Sequence, residues 1–352
     1  MIDFRYHLVS IVAVFLALAI GIVLGSTELQ GHTIDALNAA SNQLRGELNA
    51  AQAQRDAYSN QANSSETFLQ TSEPRLLGGL LTGDKLVIVT EPGAQSSVVQ
   101  GVTKAATIAG ATVTGQVALQ PKFYDVSGAT QSSLSSINNS IASPDGILLD
   151  SPANPQTGYQ QQAAQLIAAA IMDKSDNPLD GLPTPTAQAL LSSYAQAGYL
   201  TVSGTVTDRA TLTVIVTPQS APSDGANDPA NQVLLAIAQE FASASAVTVV
   251  AGSTTGSAQA GSAMSVLRSS SVSSSVSSVD NADTTLGQIT VVQAIAAQLA
   301  GAKPNSYGIS GASAVSPSSV PSPTPSATVT PTVSSSPHPK TTRKGTSPVK
   351  KK

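Results

Sequence analysis

The sequence predicts an α/β fold in four parts: an N-terminal transmembrane helix, a helical coiled-coil-like stalk, a mostly parallel α/β domain and a disordered tail. Three observations carry this reading. Between residues 80 and 310, short β-rich runs alternate with Ala-rich helical ones, the order that builds a parallel sheet joined by right-handed crossovers. The first run, KLVIVT (85–90), is apolar almost throughout, as expected of a strand covered on both faces. The two ends differ from this middle, the first being apolar and the last rich in Pro, Ser and Thr.

The apolar run from Leu8 to Leu24 is interrupted only by Ser10. As a helix it spans about 25 Å, the short end of a membrane crossing. Signal-peptide cores are usually about 7–15 residues long and precede an A-x-A-like site. This core is longer, and the nearest match is Val23-Leu24-Gly25. A retained anchor over 8–25 is therefore the preferred reading, with cleavage before Ser26 as the alternative. Arg5 and the α-amine precede the run, and the next basic residue is Arg45. That asymmetry puts residues 1–7 in the cytoplasm and everything after the anchor outside it, in the cell envelope.

Residues 27–72 read as a helical stalk. Leu37, Leu44, Leu48, Ala51, Tyr58, Ala62 and Leu69 fall at steps of three, four and seven, one seam of a helix. Ser41, Arg55 and Ser65 fill other seam positions, which would weaken a coiled coil. Parallel self-association into a homo-oligomer is favoured, because an anchor raises local concentration. A single helix packing on its own domain is the alternative. Pro74 and LLGGLLTGD are expected to end the helix.

The domain then reads in order. KLVIVT is followed by a helix in SSVVQGVTKAATIAGA and a strand in TVTGQVAL. A short apolar run, GILLD (146–150), precedes helices over about 157–173 and 185–197, and then GYLTVSG. The strands TLTVIVT (211–217) and AVTVVAG (246–252) flank a helix at 229–244. AAQLIAAAIM is too short to cross a membrane and reads as a core helix.

Charge separates body from tail. Residues 1–301 hold all 21 acidic groups and 10 of the 17 basic ones, and residues 302–352 hold the other seven basic groups and no acid. The tail, 313–352, cannot bury enough apolar surface to offset its ordering entropy. Its lysines and arginine suit anionic envelope polymers or headgroups, or serve only as a solubilising end. No nucleic-acid partner is expected.

Chemistry is sparse. The histidines are His7, His32 and His338, all outside 80–310, and there is no cysteine. Ser-His-Asp and Cys-His catalysis are thereby excluded in the domain, and no enzyme or cofactor is expected. Soft metals want thiolate, thioether or imidazole; Met172 and Met264 sit in core-like runs, leaving His7 and His32 as candidate ligands. Asp280, Asn281 and Asp283 form the tightest polar cluster. They would suit a hard cation, although a T-x-x-Q capping box, Thr285 to Gln288, with the acids beside a helix start is the stronger reading. GSTTGSAQAG and EPGAQSS follow strands and would offer backbone N–H groups to an anion, yet neither has P-loop or dinucleotide spacing, and a mobile, ligand-free loop is the preferred reading of each. Five Phe and seven Tyr are few for the aromatic girdles of a membrane barrel.

The opening MIDFRYHLVSIVAVFLALAIGIVLGS, with VDNADT…GQ and NSYG (305–308), resembles the actinobacterial MctB family, the mycobacterial copper transport protein B group, also known as SteB-like. The resemblance covers about residues 1–310, with Asp280, Asn281 and Asp283 in its C-terminal signature. It implies an envelope protein, assigned to the outer membrane as a channel, that keeps cytoplasmic copper low by efflux. It also implies work beside a SteA-like membrane partner in cell separation. Two functions follow as expectations: copper homeostasis, or a non-enzymatic adaptor whose stalk and domain bind a partner.

Overall fold

The computed structural model describes residues 4–143, 147–149, 151, 154–173, 182–321 and 345, without the side chains of 26–34. The expected tail lies mostly outside the described residues. The chain divides into two compact units, Met1–Thr71 and Ser72–Lys352.

The described residues of the first unit are all helical. Helix α1 (Phe4–Leu77) runs from the apolar segment through the stalk without a break. Residues 27–73 contain no proline and only two glycines, Gly31 and Gly46, so nothing local interrupts the ladder. Side-chain bonds one turn apart support it, Gln43 donating to Glu47 at 2.9 Å and Gln54 to Tyr58 at 3.2 Å. Among the described residues, Phe4–Gly25 is the one helical segment long and apolar enough to cross a membrane. Its 22 residues span about 33 Å, close to the roughly 30 Å of a hydrocarbon core.

In the second unit, α1 passes through Pro74 rather than stopping there. A proline removes one hydrogen bond, and a helix within a turn of its end tolerates that loss. The stop comes at the glycines: Gly78 N–H donates to the Pro74 carbonyl at 3.0 Å, and Gly79 turns at φ +85°.

Seven strands form one open sheet: β1 (Lys85–Thr90), β2 (Thr112–Leu119), β3 (Leu200–Gly204), β4 (Leu212–Val216), β5 (Val247–Ala251), β6 (Ser277–Val279) and β7 (Ser306–Tyr307), in the order β3-β2-β1-β4-β5-β6-β7. Neighbours are parallel except β2 and β3, which are antiparallel. The chain moves from β1 to one edge, returns to lay β4 on the other side of β1, and continues to the far edge. The order therefore reverses between β1 and β4.

The helices of this unit are α2 (Ser96–Ile108), α3 (Gly128–Ala142), α4 (Gly158–Ile171), α5 (Thr184–Gln196), α6 (Pro229–Ala244), α7 (Thr254–Ser257), α8 (Ala263–Ser269) and α9 (Thr285–Leu299). Successive strand residues face opposite sides. Val87 and Val89 accordingly join the core built with α4, α5, α6 and α8. Leu86 and Ile88, just as buried, face the side where α2 and α9 pack together.

Three expectations change. Ile147–Leu149 of GILLD form no strand, and Leu148 is exposed; residues 146 and 150 lie outside the described residues. The place beside β2 is taken by β3. Strand β6 lies in a serine-rich stretch where the sequence reading places no strand. Finally, the crossovers do not share one hand. Helices α2 and α9 lie on the same face, yet β1-α2-β2 steps toward the β3 edge and β6-α9-β7 toward the other. With parallel strands in both pairs, these connections have opposite hand, against the usual uniformity. Burial supplies a reason: α9 is buried nearly all round, and lying beside α2 it covers β5 and β6 on a face that α2 alone would leave open.

Candidate functional site

The residues singled out from the sequence resolve into different roles. Asp280 is fully buried after β6 and meets Arg268 Nη1 of α8 at 2.9 Å. It also accepts the backbone N–H groups of Ile309 at 2.8 Å and Ser310 at 2.9 Å. Arg268 donates in addition to Ser278 Oγ at 3.0 Å and to the carbonyls of Tyr307 at 2.8 Å and Ser310 at 2.6 Å. The NSYG segment is thus clamped to β6 and α8. Gly308 lies against the clamp at φ +126°, where a Cβ would collide with the Asp280 carboxylate.

Asp283 points elsewhere, accepting the Thr254 N–H and hydroxyl at 2.8 Å each. Asn281 offers its carbonyl to the Thr284 N–H at 3.0 Å, and its side-chain oxygen is buried without a partner. The helix cap is Thr284, not Thr285. Its backbone is extended, and its hydroxyl accepts the Gly287 N–H at 3.1 Å. Glycine then stands where a capping box needs its Gln, and Gln288 reaches back to the Ala282 carbonyl at 3.3 Å instead. Among the described residues no three His, Cys, Asp or Glu side chains converge as a metal site.

Two of the donors at the start of the GSTTGSAQAG loop are occupied within the protein. Ser253 Oγ accepts the Gly256 N–H at 3.2 Å, and Asp283 takes the Thr254 N–H. His7 is exposed on α1, and the side chain of His32 lies outside the described ones. The two are 25 positions apart on one helix, about 37 Å, so one chain cannot bring both to one ion. Of the stalk seam, Leu37, Leu44, Leu48, Ala51 and Tyr58 are all exposed, Leu37 at 71%.

A different place gathers unusual chemistry. At the reversal of strand order, beyond the carboxyl ends of β1 and β4, a crevice of about 190 Å³ opens. Open α/β sheets hold their ligands at this position. Pro92, Pro121, Pro218, Pro222 and Leu234 wall it, and Asn231 stiffens one side by donating to the carbonyls of Gly225 at 2.9 Å and Gly261 at 3.1 Å. Glu91, the residue after β1, lines its floor and is only 4% exposed. Tyr124 donates its hydroxyl to Glu91 Oε1 at 2.7 Å, and Oε2 is buried with no partner. Burial pushes the Glu91 carboxyl up to about 8, against a smaller lowering by that hydroxyl. Tyr124 is itself pushed well up, first by burial and then by the charge of Glu91. Sequence reading reached EPGAQSS for its backbone and passed over the acid at its head. The signal was there: a carboxylate directly after an apolar strand sits at the mouth of the sheet.

Fold and site together define a doubly wound α/β domain on a chain that begins with one candidate membrane-spanning helix, with an acid-floored crevice at the switch point. A family model described as "Copper transport outer membrane protein, MctB" matches residues 1–317, and the chain belongs to that family. The chain is similar to the copper transporter MctB of Mycobacterium tuberculosis and of Mycobacterium bovis, each 29% identical over 312 residues, covering 88% of this chain and 96% of theirs. To the copper transporter MctB of Mycobacterium leprae it is 27% identical over 314 residues, with the same two coverages.

Two variants test these assignments. Asp280→Ala leaves a largely buried guanidinium without its counter-charge and should cost about 3–5 kcal/mol in chemical denaturation; a loss within about 0.5 kcal/mol would show that the clamp is incidental. Glu91 binds its proton more tightly folded than unfolded, so its contribution is fullest below its ordinary value of 4.5 and is lost as pH rises toward about 8. Glu91→Gln should therefore melt close to the parent near about pH 5 and roughly 10 °C above it at about pH 8.5. A constant difference across that range would show an unshifted carboxyl.

Proposed function

We propose that this chain is a membrane-anchored cell-envelope protein that supports copper efflux and so keeps cellular copper low. The observation that carries this reading is the family match along residues 1–317, together with relatives that bear the name copper transporter. Phe4–Gly25 supplies the anchor, with Arg5 on the cytoplasmic side and the α/β domain outside.

The geometry favours an indirect part in moving the ion. The chain has no cysteine, its domain has no histidine, and Met172 and Met264 are buried in the core beside α4 and within α8. Copper(I) prefers thiolate or thioether and copper(II) imidazole; the domain has no thiolate or imidazole, and its two thioethers are packed in the core. The described strands make an open sheet with two edges, not a closed wall. The domain thus acts by contact with a transporter, or a path forms between several copies of α1; no catalytic step and no resident cofactor is assigned. In a strain lacking the protein, elemental mass spectrometry under copper challenge should find raised cellular copper that re-expression returns to normal. Normal copper in that strain would remove the efflux role.

A second reading is favoured by the stalk. Leu37, Leu44, Leu48 and Tyr58 are exposed along one continuous helix, an apolar seam without a partner among the described residues. That seam suits self-association, or an adaptor function beside a SteA-like membrane partner in cell separation. Leu44→Asp should abolish cross-linked oligomers or co-purification of that partner while leaving the domain folded; retention of both would exclude the seam as an interface.

A further inference from the structure

A phosphate is what an open α/β sheet commonly receives where β1 and β4 part, held by a glycine-rich turn and a helix start. Here the turn after β1 begins with a carboxyl, and no Lys, Arg or His lines the crevice. An anion would meet nothing to balance it. The walls are apolar, four prolines and a leucine, and one oxygen of Glu91 already holds the Tyr124 hydroxyl. The other oxygen is buried and unmatched, and once the carboxyl is ionised this is a costly state that a donor from outside would relieve.

We propose that this crevice binds a primary amine on a short apolar stem, its ammonium donating to the free oxygen of Glu91 and its stem lying between the prolines. The cavity of about 190 Å³ suits a stem of a few carbons and falls below the roughly 300–1,000 Å³ of pockets for larger ligands, so a dinucleotide is excluded. Glu91 and Tyr124 are the titratable groups that line it, and no other charged side chain does. Burial keeps the free carboxyl protonated to about pH 8, so an arriving ammonium displaces that proton to solvent and binds more tightly as pH rises toward that value. Two sources share this chemistry, a free aliphatic amine and the lysine side chain of a polypeptide. The assignment stands independently of any role in copper efflux.

The test is calorimetric titration of the full-length protein in detergent micelles at about pH 8. The probes are n-butylamine, n-butanol and Nα-acetyl-lysine methylamide. Saturable binding of n-butylamine is expected, with n-butanol about tenfold weaker or worse, and the amine about tenfold weaker on Glu91→Gln. Binding of the lysine derivative as well supports a polypeptide lysine as occupant; binding of n-butylamine alone supports a free amine. Equal affinity for amine and alcohol, no saturable heat with either amine, or an affinity unchanged in Glu91→Gln overturns the proposal. The comparison of amine with alcohol needs no variant, so a folding defect in Glu91→Gln would not weaken the test.

Discussion

Burial of β1, β4 and β5 on both faces is the constraint from which the rest of the domain follows. Every residue of β4 and β5 is buried, and five of the six in β1. A parallel sheet of that kind must be roofed by helices on two sides. One roof is broad, with α4, α5, α6 and α8, and the other narrow, with α2 and α9. The narrow side explains the unusual path of α9. A connection of the favoured hand would have put another helix on the crowded face and left β5 and β6 wet on the other. Covering apolar strand surface, at roughly 25 cal/mol per Å², outweighs the preference for one hand when the alternative exposes two strands.

The same architecture places the buried acids. Glu91 follows β1 and Asp280 follows β6, both at carboxyl ends of strands, where the sheet stops and polar groups meet the loops. Their neighbours separate them. Asp280 has a guanidinium and two backbone donors, and it is spent on structure. Glu91 has one phenol and a buried oxygen left over, and the residue lines a cavity. The acid read from the sequence as beside a helix start, in a cluster of three polar residues, is a clamp. The one that looked like the first residue of a loop is the better binding group.

Much of the fold was legible because its signals are local. KLVIVT and TVTGQVAL became β1 and β2 over the residues read, and the helix expected near 229–244 is α6. What escaped depended on partners far along the chain. In β6 the serines give no strand signal until Ser277 is found bonded to Gln298 and Asn305, and Ser278 to Arg268. Helix α3 is largely polar, with Leu134 the one large apolar residue fully buried in it. GILLD has strand composition and no place in the sheet. The site behaved alike: Glu91 could be seen in the sequence, but Tyr124, 33 residues later, becomes its partner only once β1 and β2 are paired.

The clamp on the NSYG segment holds the turn after β7 onto the domain, its last contacts reaching Ser310. Ser313 extends the hold by donating its N–H to the Ser306 carbonyl at 3.1 Å, and Tyr307 bridges to Ala314. The segment from β7 to Ala314 is thus a closed buckle, fastened at one side by a buried charge pair and at the other by backbone. A residue inserted between the two fastenings has no slack to occupy, so the length of this short stretch is set by Arg268, a side chain 39 positions before Tyr307.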